Sequence, residues 1–133
     1  MATNISLLPQ LSVSFVVINN ADWRDSIQFY QTGTTTALDL TGISFKAQLR
    51  SSISNPVAIL TASTDNGLLI NGGMNGLLSF AVPRDPAGSL GGMSLIPAGS
   101  YVLDLIASGD SKIINLFQAI GPATVLVKTG VTK

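Results

Sequence analysis

Aspartate is the acidic residue type available for catalysis or metal binding in this chain, because glutamate, histidine and cysteine are absent. Imidazole and thiolate groups serve as general bases, nucleophiles and zinc ligands, so those chemistries are excluded, as are disulfides. The acids are Asp22, Asp25, Asp39, Asp65, Asp85, Asp104 and Asp110. What remains is oxygen chemistry: calcium binding, catalysis by a pair of carboxylates, or a Ser or Thr nucleophile with aspartate or lysine as its base.

The densest polar cluster is Asp22-Trp23-Arg24-Asp25. Its two carboxylates could contribute oxygen ligands to a calcium site. A solvated turn with a weak ion pair between Arg24 and an aspartate explains the same residues more simply. Trp23, the single tryptophan, fits either an interface anchor or a rim residue that closes the core.

Catalytic patterns are missing. No serine lies in a Gly-x-Ser-x-Gly or Ser-x-x-Lys pattern, and the glycine-rich runs 71–76 and 88–92 lack the ending of a phosphate-binding loop. Most aspartates fall in predicted turns, too scattered for glycosidic cleavage. Asp104 alone falls inside a predicted strand, where it faces outward and could pair with Lys46 or Arg50. We therefore predict that the protein is not an enzyme and holds no metal or cofactor.

The charge balance argues against polyanionic partners. Seven basic and seven acidic residues cancel, and only 11% of residues are charged, against roughly 25% in an average protein. Nucleic acids and anionic membranes bind clustered Lys and Arg, so neither is an expected partner. The uncharged stretch before Asp22 is interrupted by Asn, Ser, Pro and Gln and has no basic leader, so we predict neither a signal peptide nor a membrane span.

Strands must position these side chains, because the apolar residues repeat with a period of two. Residues 43–50 alternate without exception, with Ile43, Phe45, Ala47 and Leu49 on one face. In residues 12–18 the outer face includes Val16 and Ile18, which predicts that it becomes covered near its end. The nine predicted strands are 12–18, 26–31, 43–50, 57–62, 68–70, 77–82, 101–107, 113–120 and 124–128. No segment shows a helical stripe, so the spacing predicts a mostly antiparallel sandwich or barrel.

Turn residues separate these strands. Hairpins are predicted at 65–67, 75–76 and 109–110, where Asn, Asp and Gly tolerate positive φ. Residues 83–100 instead form one long Pro/Gly-rich loop, which is too apolar to lie free. It either covers one end of the domain, the reading that the sequence favours, or contacts a neighbouring chain.

The predicted organisation is an N-terminal arm, residues 1–11, followed by a single domain, residues 12–133. The arm is apolar and could pair along a sheet edge or reach a neighbouring chain. The side chains predicted to contact a partner are Leu7, Leu8, Trp23, Arg24, Leu90, Met93 and Leu95.

Several short motifs together resemble a known family. They are Asp39-Leu40-Thr41-Gly42, Gln48-Leu49-Arg50, Asn66-Gly67, Pro97-Ala98-Gly99-Ser100-Tyr101 leading to Asp104-Leu105, and Gly121 followed by 125–127. In this order, over residues 12–131, they resemble small virion proteins of tailed bacteriophages, including the N-terminal module of baseplate upper proteins and tail, neck or fibre-docking domains. The resemblance implies an immunoglobulin-like antiparallel β-sandwich of about eight or nine short strands.

The same resemblance implies a function. It suggests a virion structural subunit, made in the host cytoplasm, that acts as an adaptor, collar or tail-associated docking protein and contacts copies of itself and other virion proteins. A capsid decoration protein is the nearest alternative. A carbohydrate-binding module that presents Trp23, Tyr30 and Tyr101 to a sugar is an alternative of another class, although three separated aromatics argue against a carbohydrate partner.

Overall fold

The computed structural model describes residues 5–86, 88–117 and 121–131, and these residues form nine strands in two sheets. The only helical elements in these ranges are 3-10 turns at Ile5–Leu7, Gly73–Asn75 and Met93–Leu95. The strands are β1 Ser14–Ile18, β2 Ser26–Gln28, β3 Ser44–Arg50, β4 Leu60–Ser63, β5 Leu69–Asn71, β6 Leu77–Phe80, β7 Gly99–Gly109, β8 Lys112–Asn115 and β9 Ala123–Lys128. The all-β prediction is confirmed.

The larger sheet has the order β1-β9-β7-β3-β4, with β8 paired to β7, and the smaller sheet has the order β2-β6-β5. Neighbouring strands are antiparallel except for β1 and β9, which are parallel. Strand β1 lies at one edge of the larger sheet, beside β9, and β4 lies at the other edge, beside β3. The prediction of mostly antiparallel strands therefore holds with one exception.

The core lies between the two sheets, and the period of two explains how it forms. Phe45, Ala47 and Leu49 of β3 are buried, while the residues between them are exposed or half-buried, as predicted. The Phe29 and Phe45 rings stack with their centroids 6.2 Å apart, and Phe15 of β1 meets Phe80 of β6 edge to face at 5.5 Å. All the buried side chains among the described residues are apolar, so the fold is a β-sandwich held by apolar packing.

Two of the three predicted hairpins are confirmed. Residues 75–76 join β5 to β6, and residues 109–110 join β7 to β8, where Asp110 and Ser111 have φ values of 50° and 60°. The third prediction is wrong, because residues 65–67 connect β4 in the larger sheet to β5 in the smaller one. There the Asn66 side-chain oxygen accepts from the Ser63 and Leu68 backbone N–H groups, each at 3.0 Å, and so forms the turn between sheets.

The first and last parts of the chain depart from the predicted outline. Residues 1–4, 118–120 and 132–133, which include parts of the predicted arm and of the 113–120 strand, lie outside the described residues. The rest of the arm packs on the domain: Ile5 and Leu8 are buried, and the Leu11 N–H donates to the Leu116 carbonyl oxygen at 2.7 Å. Residues 5–11 are therefore part of the domain surface and do not project from it.

Candidate assembly interface

The edge strand β1 exposes apolar side chains on the outer face of the larger sheet. Val16 is 61% exposed and Ile18 is 47% exposed, and Leu126 of β9, which pairs with Val16, is 38% exposed. The predicted covering of this face is wrong for the described residues. An exposed apolar strand at a sheet edge is a surface on which another chain can pair.

The hydrogen bonds of β1 show which backbone groups remain open. The Asn19 N–H donates to the Lys128 carbonyl oxygen at 3.0 Å, and Ile18 pairs with Lys128. In a parallel ladder this pattern directs the backbone groups of the odd-numbered residues of β1 toward β9. Those of Ser14, Val16 and Ile18 consequently point toward the open edge.

The edge also lacks the usual protection against pairing. Ser14–Ile18 contains neither a proline nor a charged residue, and both types commonly keep edge strands from pairing. Among the described residues, no strand pairs with β1 on the side away from β9. The β1 edge therefore has backbone groups that no described strand pairs and side chains that do not block pairing.

A second feature of the larger sheet is a groove of about 390 Å³ on its outer face, which is covered on one side by residues 53–56. Arg50 donates to the Gln48 side-chain oxygen at 2.8 Å on its floor, beside Asp104 and Val102. Asp104 pairs across the strands with Gln48 and lies diagonal to Lys46 and Arg50. The ion pairs within the described residues involve Arg24 with Asp22 and Arg84 with Asp85, so neither proposed partner forms an ion pair with Asp104.

The predicted partner contacts divide into two groups. Leu7, Arg24 and Leu95 are exposed, and Leu90 is half-buried against the core. Leu8, Trp23 and Met93 are buried in the single chain, which argues against their predicted role because little of their side-chain surface is left for a partner. The physical reason is that apolar residues favoured at interfaces are also the ones that fill cores.

Trp23 illustrates this overlap. Its ring stacks on Phe80 with centroids 4.1 Å apart and meets Phe15 edge to face at 5.5 Å, and it is only 2% exposed. Its indole N–H donates to the Asp25 carboxylate at 2.8 Å. Tyr101 is buried as well, while Tyr30 is half exposed, so the three aromatics do not form the platform that a carbohydrate-binding module would need.

The aspartate side chains of the polar cluster form hydrogen bonds and an ion pair with other residues of the same chain. Asp22 Oδ2 lies 3.5 Å from Arg24, and Asp22 Oδ1 accepts from the Arg84 backbone N–H at 2.8 Å. The cluster thereby holds the start of the connection between β6 and β7. No group of three or more acidic side chains that could hold a metal ion occurs among the described residues.

The Asp39 carboxylate accepts two hydrogen bonds from Thr41. The Thr41 hydroxyl donates to Asp39 Oδ1 at 2.5 Å and the Thr41 backbone N–H donates at 2.9 Å. These two hydrogen bonds, the hydroxyl first, lower the pKa of Asp39 below its usual value because they favour the ionised form. The effect stabilises the turn that leads into β3.

Neither a family model nor a curated protein matches this chain. In the part of the chain that the structure describes, no helix has the length and apolar character needed to cross a membrane.

The candidate contact residues that the sequence analysis does not include are the exposed Val16, Ile18 and Leu126. The signal was present in the sequence, because Val16 and Ile18 interrupt the polar side of the alternation in residues 12–18. These residues predict a face that becomes covered, whereas the structure leaves their side chains exposed.

Proposed function

We propose that this chain is a non-enzymatic structural subunit that works through contacts with copies of itself and with other proteins of a tailed-bacteriophage virion. The observation that carries the assembly role is the open β1 edge, where Val16 and Ile18 are exposed beside backbone groups that no described strand pairs. The virion setting rests on the resemblance of the motifs in residues 12–131.

The proposal includes an immunoglobulin-like topology. In that fold, strands B, E and D form one sheet, and strands C, F and G, extended by C′ in variable-type domains, form the other. The orders β2-β6-β5 and β9-β7-β3-β4 fit this arrangement if β2 is strand B and β9 is strand G. Strand β1 then continues the second sheet beyond strand G.

The start of β7 supports the same assignment. The Tyr101 hydroxyl donates to the Pro97 carbonyl oxygen at 2.5 Å, which is the geometry of the tyrosine corner found at the start of strand F. Antibody domains carry a cysteine two residues after this tyrosine, and here that position is the buried Leu103. Apolar packing would take the place of the disulfide.

The long Pro/Gly-rich loop belongs to the proposal as a cover for one end of the sandwich. Met93 and Ile96 are buried, and the Met93 N–H donates to the Pro83 carbonyl oxygen at 2.9 Å. Leu95 is exposed on the outside of this cover and is available to a partner. Ala87, inside the loop, lies outside the described residues.

The test is to measure the copy number of the chain by quantitative mass spectrometry of density-purified particles from the phage or prophage that encodes it. The proposal predicts a fixed copy number relative to the major capsid protein. Particles that assemble, are infectious and contain none of the chain would contradict it. A copy number close to that of the capsid protein would favour the decoration role, and a small fixed number would favour an adaptor or collar.

A further inference from the structure

We propose that two copies of the chain pair antiparallel through β1, about a two-fold axis at Val16, so that their larger sheets become one continuous sheet. The inference deepens the proposed function and rests on it, since it names the partner of the open edge as a second copy. Two-fold contacts use the same surface on both partners, so an edge must be complementary to itself.

The backbone meets that requirement. Ser14, Val16 and Ile18 direct their N–H and C=O groups to the open side, as the bond from Asn19 to Lys128 establishes. With the axis at Val16, Val16 faces the partner's Val16 and Ser14 faces the partner's Ile18. These are hydrogen-bonded pairs of an antiparallel ladder, which would form about six backbone hydrogen bonds.

The side chains of β1 are also complementary to themselves on both faces of the sheet. On the outer face, Val16 contacts the partner's Val16, and Ile18 lies beside the partner's Ser14. On the inner face, Phe15 lies opposite the partner's Val17. Phe15 is only half-buried in the single copy, where it packs against Trp23 and Phe80, so pairing extends the core across the axis.

Electrostatics does not oppose this pairing. Ser14–Ile18 carries no charge, and the nearest charged side chain on the paired strand is Lys128, beside Ile18. Strand spacing and rise place the two Lys128 positions roughly 20 Å apart across the axis. That separation exceeds the screening length of about 8 Å at physiological salt.

The other edges are less suited to a second copy. At β4, the loop approaches so closely that a Cβ on Gly91 would lie 2.6 Å from Leu60 Cδ1. At β5, the Asn71 side-chain amide donates to the Leu40 and Ile43 carbonyl oxygens, which connects this edge to the turn before β3.

Strand β2 is only three residues long. Strand β8 also has an unpaired side and exposes Ile113, but it is four residues long, and the Gln10 side-chain amide donates to its Asn115 carbonyl oxygen at 3.0 Å. With five residues, β1 is the longest open edge strand among the described residues.

The first experiment compares native masses by sedimentation equilibrium. We expect the unaltered chain to have twice its 13.8 kDa mass. Val16→Lys places two cations face to face and raises the dissociation constant on the order of 10-fold or more. Ile70→Lys is the matched control, because Ile70 is also β-branched, lies on edge strand β5 and is 53% exposed. It leaves the dimer intact.

The second experiment tests the register with single cysteines, which the chain otherwise lacks. Under mild oxidation Val16→Cys forms a covalent dimer, because paired Cα atoms about 5.5 Å apart lie within disulfide range. Ser14→Cys does not, since its two copies lie roughly 14 Å apart. A mixture of Ser14→Cys and Ile18→Cys forms the mixed dimer. All three variants are checked for folding by tryptophan fluorescence.

The pairing is overturned if the unaltered chain is monomeric, if Val16→Cys does not cross-link, or if Val16→Lys dimerises as tightly as Ile70→Lys. Each of these results leaves the virion role standing if the chain is found in purified particles. If the chain dimerises through β1 and is absent from particles, the proposed function fails and the pairing stands.

Discussion

At the scale of single residues, the turn before β3 depends on one side chain. Asp39 accepts hydrogen bonds from the hydroxyl and the backbone N–H of Thr41, and both bonds are stronger to the ionised carboxylate than to the protonated acid. Because the pKa of Asp39 is lowered in the folded chain, its contribution to stability is present above the unfolded-state pKa. That contribution is lost as the pH falls through the folded-state pKa.

Thr41→Val therefore raises the pKa of Asp39 toward the usual aspartate value of about 3.9, without reaching it, because the backbone N–H still donates. The measurement is an NMR titration of the Asp39 carboxyl carbon. Thr124→Val, at an exposed position on β9, is the control and leaves the titration unchanged. An unchanged pKa of Asp39 in Thr41→Val would show that the hydroxyl does not hold the carboxylate.

Gly76 combines a positive φ with a close approach of two backbone carbonyl groups. Its φ is 68°, and a Cβ there would lie 2.6 Å from the Phe29 carbonyl oxygen and 2.8 Å from that of Leu38. Gly76→Ala should lower the free energy of unfolding by roughly 2 kcal/mol or more, through positive φ and backbone overlap together. Urea titration measures this change in the free energy of unfolding.

Gly33→Ala separates these two causes. Gly33 also has a positive φ, 75°, and its Cβ would meet no atom within 4 Å. The free energy of unfolding of Gly33→Ala should fall by about 1 kcal/mol, which is the cost of the left-handed conformation alone. Equal losses in the two variants would show that the close approach at Gly76 has no energetic weight.

At the scale of elements, β7 is the central strand of the larger sheet. It pairs with β3, β8 and β9, and its inward residues Tyr101, Leu103, Leu105 and Ala107 are all buried. Its entry is fixed by the bond from Tyr101 to Pro97, which ends the long connection from β6. This bond sets the position at which the central strand begins.

Tyr101→Phe removes that bond while keeping the ring. We expect the free energy of unfolding to fall by about 1 kcal/mol, the net contribution of one hydrogen bond. Tyr30→Phe is the matched control, because Tyr30 is half exposed, and it should change stability by less than about 0.5 kcal/mol. A loss in Tyr101→Phe no greater than in the control would contradict the role assigned to this corner.

Strand positions could be predicted from the sequence, and strand partners could not. Alternation predicts three of the nine strands, and runs rich in Val, Ile, Leu, Phe and Tyr predict the other six, so each strand overlaps a predicted segment. The turn at 65–67 has the composition of a hairpin, yet it changes sheets, since the same residues serve any tight reversal. The parallel pairing of β1 with β9 joins segments more than a hundred residues apart, which no local pattern encodes.

The candidate site was harder to predict for a related reason. Residue type does not distinguish a core side chain from an interface side chain, so Leu8, Trp23 and Met93 were chosen and proved buried. The Val16 side chain is exposed because it lies on the outer face, but the opening of its backbone groups depends on β1 being an edge strand, which follows only from the sheet order. The useful signal was the apolar residue on an otherwise polar face.

At the scale of the whole molecule, low charge and an open edge act together. The chain has no net charge, so long-range repulsion does little to keep copies apart. The edge that would join them is uncharged, so the contact depends on backbone hydrogen bonds and apolar burial. Association of this kind differs from one held by ion pairs, because added salt does not screen it.

The most direct measurement is therefore the native mass of the unaltered chain by sedimentation equilibrium, in low salt and in high salt. The account predicts twice the 13.8 kDa chain mass in both, with a dissociation constant that does not rise as salt is added. A chain that is monomeric throughout, or a dimer that dissociates in high salt, would contradict it.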